Sequence, residues 1–150
     1  MTIRDAVSPV DKIDADVVAL AFFEDERPLR SVAGLADWRM NGALSRLLME
    51  GEVSGKEGES LLISTDGRMA APRLLLFGLG DSSLFDAERF KGLLSLFAST
   101  VSKLRFVRTA ITIPGSSMFS MKNVGDAVKK EFERAKMPPD AEVIVISQIS

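Results

Sequence analysis

The stretch Arg73-Leu74-Leu75-Leu76-Phe77-Gly78-Leu79-Gly80 leaves this chain few folds to choose from. A short run that is apolar without polar alternation describes a strand covered on both faces, and therefore the interior of an α/β sheet. Gly78 and Gly80 allow the backbone to turn sharply where it leaves that strand. A long amphipathic helix is predicted to follow, which places the Gly-x-Gly turn at the carboxyl edge of the sheet. In open α/β sheets, that edge is where ligands bind.

The rest of the pattern fits around this strand. Residues 16–23, with Val17, Val18, Ala19, Leu20, Ala21, Phe22 and Phe23, predict a second buried strand, closed by Glu24-Asp25-Glu26-Arg27-Pro28. Three acids before a proline read as a solvated turn rather than a carboxylate site. A shorter first strand is expected over residues 2–7. Residues 29–50 turn helical: Leu29, Val32 and Leu35 recur every third position, and Leu44, Leu47 and Leu48 follow the i, i+3, i+4 spacing. Asn41-Gly42 predicts a break between two helices or a bend in one. Trp38, the only tryptophan, is expected to pack near that break. Residues 60–65 form a strand, and Asp66-Gly67 starts a ragged connection to an antiparallel partner beginning after Pro72.

Beyond Gly80, Asp86 is a predicted helix cap with Glu88 in the first turn. Phe90, Leu93, Leu94, Phe97, Val101 and Leu104 then trace one apolar stripe. A strand over residues 105–113 ends at Pro114-Gly115-Ser116-Ser117. Ser120 is placed to cap a helix over residues 122–135, with Val124, Ala127, Val128, Phe132 and Ala135 inward. A final strand covers residues 142–149. Strands alternating with helices imply parallel crossovers, and the Asp66-Gly67 connection adds one antiparallel pair. The predicted fold class is α/β: a three-layer α/β/α domain with a mixed, mostly parallel sheet of about six strands. At 150 residues it is one domain.

Composition removes several chemistries. With no cysteine and no histidine, the chain has no disulfide, no thiolate nucleophile, and neither the commonest general base nor the commonest zinc ligand. A net charge of −2 gives no pull toward nucleic acid or anionic membrane. The basic groups Lys103, Arg105, Arg108 and Lys129, Lys130, Arg134, Lys136 read as solvated helix faces. No apolar run is long enough for a membrane span. The amino terminus lacks a signal-peptide layout, so the expected address is the cytoplasm.

Two phosphate-loop readings fail on spacing. Gly51 and Gly55-Lys56 stand one residue too close for a Walker loop, and Glu57 replaces the hydroxyl residue, so residues 51–59 read as an exposed loop. Gly78-Leu79-Gly80 lacks the third glycine of a dinucleotide fingerprint, where Ser83 stands, and no acid occurs over residues 98–105.

Four landmarks in order carry a family resemblance: Ala15-Asp16-Val17-Val18, Leu44-Ser45-Arg46-Leu47-Leu48, Gly55-Lys56-Glu57-Gly58-Glu59, and the Arg73 to Gly80 stretch. Together they resemble the amino-terminal domain of the M17 cytosol (leucyl) aminopeptidases, over residues 15–115. The resemblance implies a macro-domain-like fold. It also implies that peptidase chemistry, in which a lysine and several carboxylates hold two metals, belongs to a separate carboxyl-terminal domain. The family's Asn-Thr-Asp-Ala-Glu-Gly-Arg motif does not occur in this sequence. The expectation is a non-catalytic domain with no catalytic residue, no metal and no cofactor. Its partners would be a second copy of itself or an aminopeptidase catalytic domain, in an assembly or regulatory role. The alternative is a macro-like module binding a small anion, a nucleotide or ADP-ribose, on the backbone amides of Gly78, Gly80, Gly115, Ser116 and Ser117. Nucleic acid and membrane are not expected partners.

Overall fold

The structure is a computed structural model and describes residues 1–7, 9–112 and 121–146. Six strands form one sheet: β1 (Thr2–Ala6), β2 (Val17–Phe22), β3 (Ser60–Ser64), β4 (Arg73–Gly78), β5 (Arg108–Thr112) and β6 (Glu142–Ile146). Their spatial order is β1-β6-β5-β2-β4-β3. Every pairing is parallel except β3 with β4, which is antiparallel with Leu62 opposite Leu75. Among the described residues the α-helices are α1 (Ser31–Arg39), α2 (Ala43–Met49), α3 (Ala87–Leu104) and α4 (Met121–Arg134).

Side-chain alternation along the strands divides the core into two layers. Val17, Ala19, Ala21, Leu75, Phe77, Ile111 and Val143 face α3 and α4. Val18, Leu20, Phe22, Leu74, Leu76, Ala110 and Ile144 face α1, α2 and the turn around Val10. Every residue of β2 is buried. The uninterrupted apolar runs of β2 and β4 thus mark covered strands, as read from the sequence, and the three-layer α/β/α architecture follows. Rings stitch the α3 layer together: Phe97 lies 4.8 Å from Phe77 and 6.4 Å from Phe132, centroid to centroid.

Several local expectations are corrected. The first helix begins at Ser31 rather than Leu29, and Asn41 and Gly42, both with positive φ, split residues 29–50 into two helices. Its buried side is formed by Ala33, Ala36 and Met40, leaving Leu35 37% and Trp38 70% exposed. Trp38 is therefore not a packing residue. Small alanines let α1 lie close to the sheet, and the bulky residues take the outer side. The strand expected over residues 105–113 is β5 alone, because Arg105 adopts a left-handed conformation that ends α3. Residues 51–59 are not a simple exposed loop: Val53 and Gly55 are buried, and the segment crosses the end of β4. Ile113, Ser120 and the end of the strand expected to 149 lie outside the described residues.

Candidate functional site

The carboxyl ends of β2 and β4 carry the rim that the sequence points to. Three short segments meet there: residues 23–30 after β2, residues 79–86 after β4, and a strap of residues 54–59 that precedes β3. The strap lies directly on the two glycines. Gly78 N–H donates to Glu59 O at 2.8 Å, Gly58 N–H donates to Gly78 O at 3.0 Å, and Gly80 N–H donates to Gly55 O at 2.9 Å. Contact is so close that a Cβ built on Gly78 would stand 2.0 Å from Lys56 O. Glycine at Gly78 is required by that approach.

Further donors of the rim are met by the chain's own carboxylates. Glu59 accepts from the Ser54 N–H at 2.7 Å and the Gly55 N–H at 2.9 Å, two successive amides of the strap. Asp25 accepts from the Ser82 N–H at 2.8 Å and from the Ser82 hydroxyl. Asp81 accepts from the Ser83 N–H at 2.9 Å and caps the turn Ser82–Leu84. The Ser82 hydroxyl and amide hold the Asp25 carboxyl below its ordinary pKa, since both bonds favour the ionised form. Asp25 thus lies in a solvated turn, as its acidic neighbourhood suggests, and also ties the β2 loop to the β4 loop.

The amides of Gly78 and Gly80 therefore donate within the chain. Gly115, Ser116 and Ser117, the other residues proposed to hold an anion, lie outside the described residues. Beneath the rim, the void bounded by Ala21, Phe77, Leu79, Leu94, Phe97 and Thr112 measures about 20 Å³. A single water needs most of such a volume. A concavity of about 660 Å³ lies elsewhere, between β1 and α4, where Arg4, Asp5, Asp126, Lys129 and Glu133 mix both signs of charge.

Among the described residues, no three His, Cys, Asp or Glu side chains are grouped to hold a metal ion. No described helix is long and apolar enough to cross a membrane. Sequence reasoning missed Glu59 and Asp25 as the rim's internal acceptors. A signal was available in the strap itself, where glycines at Gly55 and Gly58 bracket a close backbone approach and a glutamate follows.

Comparison with known proteins supplies the identity. The model of the cytosol aminopeptidase family N-terminal domain matches residues 17–133. A probable cytosol aminopeptidase of Alkaliphilus metalliredigens is 27% identical over 120 residues, which is 79% of this chain and 24% of the relative. One of Pseudomonas syringae pv. tomato is 30% identical over 119 residues, 79% of this chain and 23% of the relative. The chain thus spans about a quarter of the length of the relatives it matches. Among solved structures, a tomato leucine aminopeptidase variant superposes with a TM-score of 0.73 at 19% identity, over 98% of this chain and 32% of its own. The macrodomain of Mycobacterium tuberculosis DarG superposes with a TM-score of 0.75 at 12% identity, over 99% of both chains. The macrodomain likeness shows the fold. The sequence match, running from the first residue of β2 to the last turn of α4, places this chain in the cytosol aminopeptidase family, as a counterpart of its N-terminal domain.

Proposed function

We propose that this chain is a non-catalytic domain of the cytosol aminopeptidase type, which serves assembly or regulation by packing against an aminopeptidase catalytic domain. Trp38 carries the reading. It is 70% exposed on α1, with Leu35 exposed one turn before it on the same side. The Arg39 guanidinium lies 4.9 Å over its ring. Exposed tryptophan beside arginine is the composition of interface centres and is uncommon on a free surface. The matched relatives extend well beyond this domain, and this reading assigns the peptidase chemistry implied by the family to that remainder.

The test uses the single tryptophan. The chain is labelled with fluorotryptophan, and the fluorine resonance of Trp38 is followed while a catalytic domain of a cytosol aminopeptidase is added. A shifted or broadened resonance, lost in an L35K variant, is the expected result. A resonance that does not move overturns the reading.

The anion-binding alternative draws on the fold alone. On the rim described above, a phosphate would have to displace Glu59 O and Gly55 O from Gly78 and Gly80. Calorimetric titration with ADP-ribose is expected to give no heat of binding, and a saturable heat would restore that alternative.

A further inference from the structure

The two edges of the sheet are built differently. On the outer edge of β1, Arg4 and Asp5 are exposed. Antiparallel pairing of β1 with another β1 about its central residue would set Arg4 against Arg4. Like charges directly opposite are destabilising, and charges on an edge strand are a common guard against such pairing. β3, the other edge, has no such guard. Ser60-Leu61-Leu62-Ile63-Ser64 contains no charge and no proline, and it reads nearly the same from either end.

The register shows which groups of β3 are available. Leu61 lies opposite Leu76 and Ile63 opposite Leu74, and just past the strand the Thr65 N–H donates to Pro72 O. In an antiparallel pair, residues alternate between bonding the partner strand and facing away. The main-chain N–H and C=O groups of Ser60, Leu62 and Ser64 therefore face outward. Leu61 and Ile63 pack into the α1–α2 layer, whereas Leu62 shares the α3 face with Leu75. On that face Leu62 is 38% exposed and Leu96 of α3 is 45% exposed. Leu96 adjoins the start of β3, since a Cβ on Gly58 would stand 3.0 Å from its Cδ2.

We propose that β3 pairs antiparallel with β3 of a second copy of this chain, about a twofold axis through Leu62 and perpendicular to the sheet. One continuous sheet then runs through both copies. In this register Leu62 meets Leu62, Ser60 meets Ser64 and Leu61 meets Ile63. Each outward backbone donor finds an acceptor, no charged side chain of either strand is opposed, and the two Leu62 side chains cover each other on the α3 face. Twofold symmetry requires a self-complementary patch, and a near-palindromic strand supplies one. The patch is smaller than a standard interface of about 1,600 Å², so the dimer is concentration-dependent. The proposal is independent of docking at Trp38, which lies on the opposite layer of the sheet.

Sedimentation velocity of the full chain, from about 5 to about 500 μM, tests this together with hydrogen exchange at both ends of that range; a dimer of the strength expected for so small a patch populates within it. The mass should rise from 16.3 kDa toward twice that value. The amides of Ser60, Leu62 and Ser64 should gain protection with concentration. The Leu62→Lys variant, at a surface position, should weaken association about tenfold or more by setting two like charges in register. Leu84→Lys, which removes a leucine more exposed than Leu62 and distant from β3 in sequence, should leave association unchanged. A monomer across the whole range overturns the proposal. So does association that survives Leu62→Lys, or protection gained at β1 or α1 instead of β3. The exchange measurement on the unmodified chain decides the matter even where a variant folds poorly.

Discussion

Gly78 shows how a single residue can be legible in part. Its place after an apolar run points to a turn at the ligand edge of an α/β sheet; Gly78 is instead the last residue of β4, and of Gly78 and Gly80 only Gly80 has a positive φ. What lies against Gly78 was not legible, because the strap of residues 54–59 arrives from a distant part of the chain and no local pattern announces that contact. Gly78→Ala is expected to destabilise the fold by about 2–4 kcal/mol, because its Cβ would meet the Lys56 carbonyl at 2.0 Å and backbone cannot rotate aside as a side chain can. Relief requires the strap to lift, with loss of the bonds from Gly78 N–H to Glu59 O and from Gly58 N–H to Gly78 O. Urea unfolding measures the first effect. Faster exchange of the Gly58, Gly78 and Gly80 amides reports the second. An alanine variant as stable as the parent would mean that the strap does not sit on the rim.

Among the elements, α3 was the most legible and α1 the least, for a physical reason. The stripe of Phe90, Leu93, Leu94, Phe97 and Val101 is wide and bulky, and all five are buried. α1 instead buries small residues, Ala33 and Ala36, which carry a weak hydrophobic signal, while Trp38 carries a strong one and points outward. The periodicity of α1 therefore misled in a way that packing explains. α3 also permits a paired prediction. Asp86 caps it, accepting from the Arg89 N–H at 2.8 Å, and Asp86→Ala should cost about 1 kcal/mol of stability. Gly92 lies inside α3 on its exposed side, with open space around the position of a Cβ. Gly92→Ala should therefore stabilise by about 0.5–1 kcal/mol. Thermal melts of the two variants should move in opposite directions, and a fall for Gly92→Ala would show that a Cβ at this position is not free of neighbours.

At the scale of the molecule, the response to pH follows from what the chain lacks and from two carboxylates. Without histidine, cysteine or tyrosine, it has none of the side chains whose ordinary pKa values fall between the carboxylates and the lysines. Stability should therefore be flat through neutrality. The acid side is set in part by groups that join distant segments. Glu142 on β6 pairs with Arg4 of β1 and, at 3.4 Å, with Arg108 of β5, tying together three neighbouring strands. The Arg4 hydrogen bond leads in holding its carboxyl below the ordinary value of 4.5, against some opposition from burial, with the charges of Arg4 and Arg108 adding to the effect. Asp25, below 3.8 through Ser82, ties the two rim loops. A carboxyl whose pKa is lower in the folded state takes up its proton more readily when the chain unfolds. Its contribution is complete above the unfolded value and disappears as pH falls through the folded one. Urea midpoints should accordingly hold steady from about pH 8 to pH 5 and then decline. Glu142→Gln and Asp25→Asn should each be less stable than the parent at neutral pH, decline less steeply, and converge with it in acid. Variant curves that run parallel to the parent's would show that these two carboxylates are not coupled to folding and that the acid limb comes from other groups.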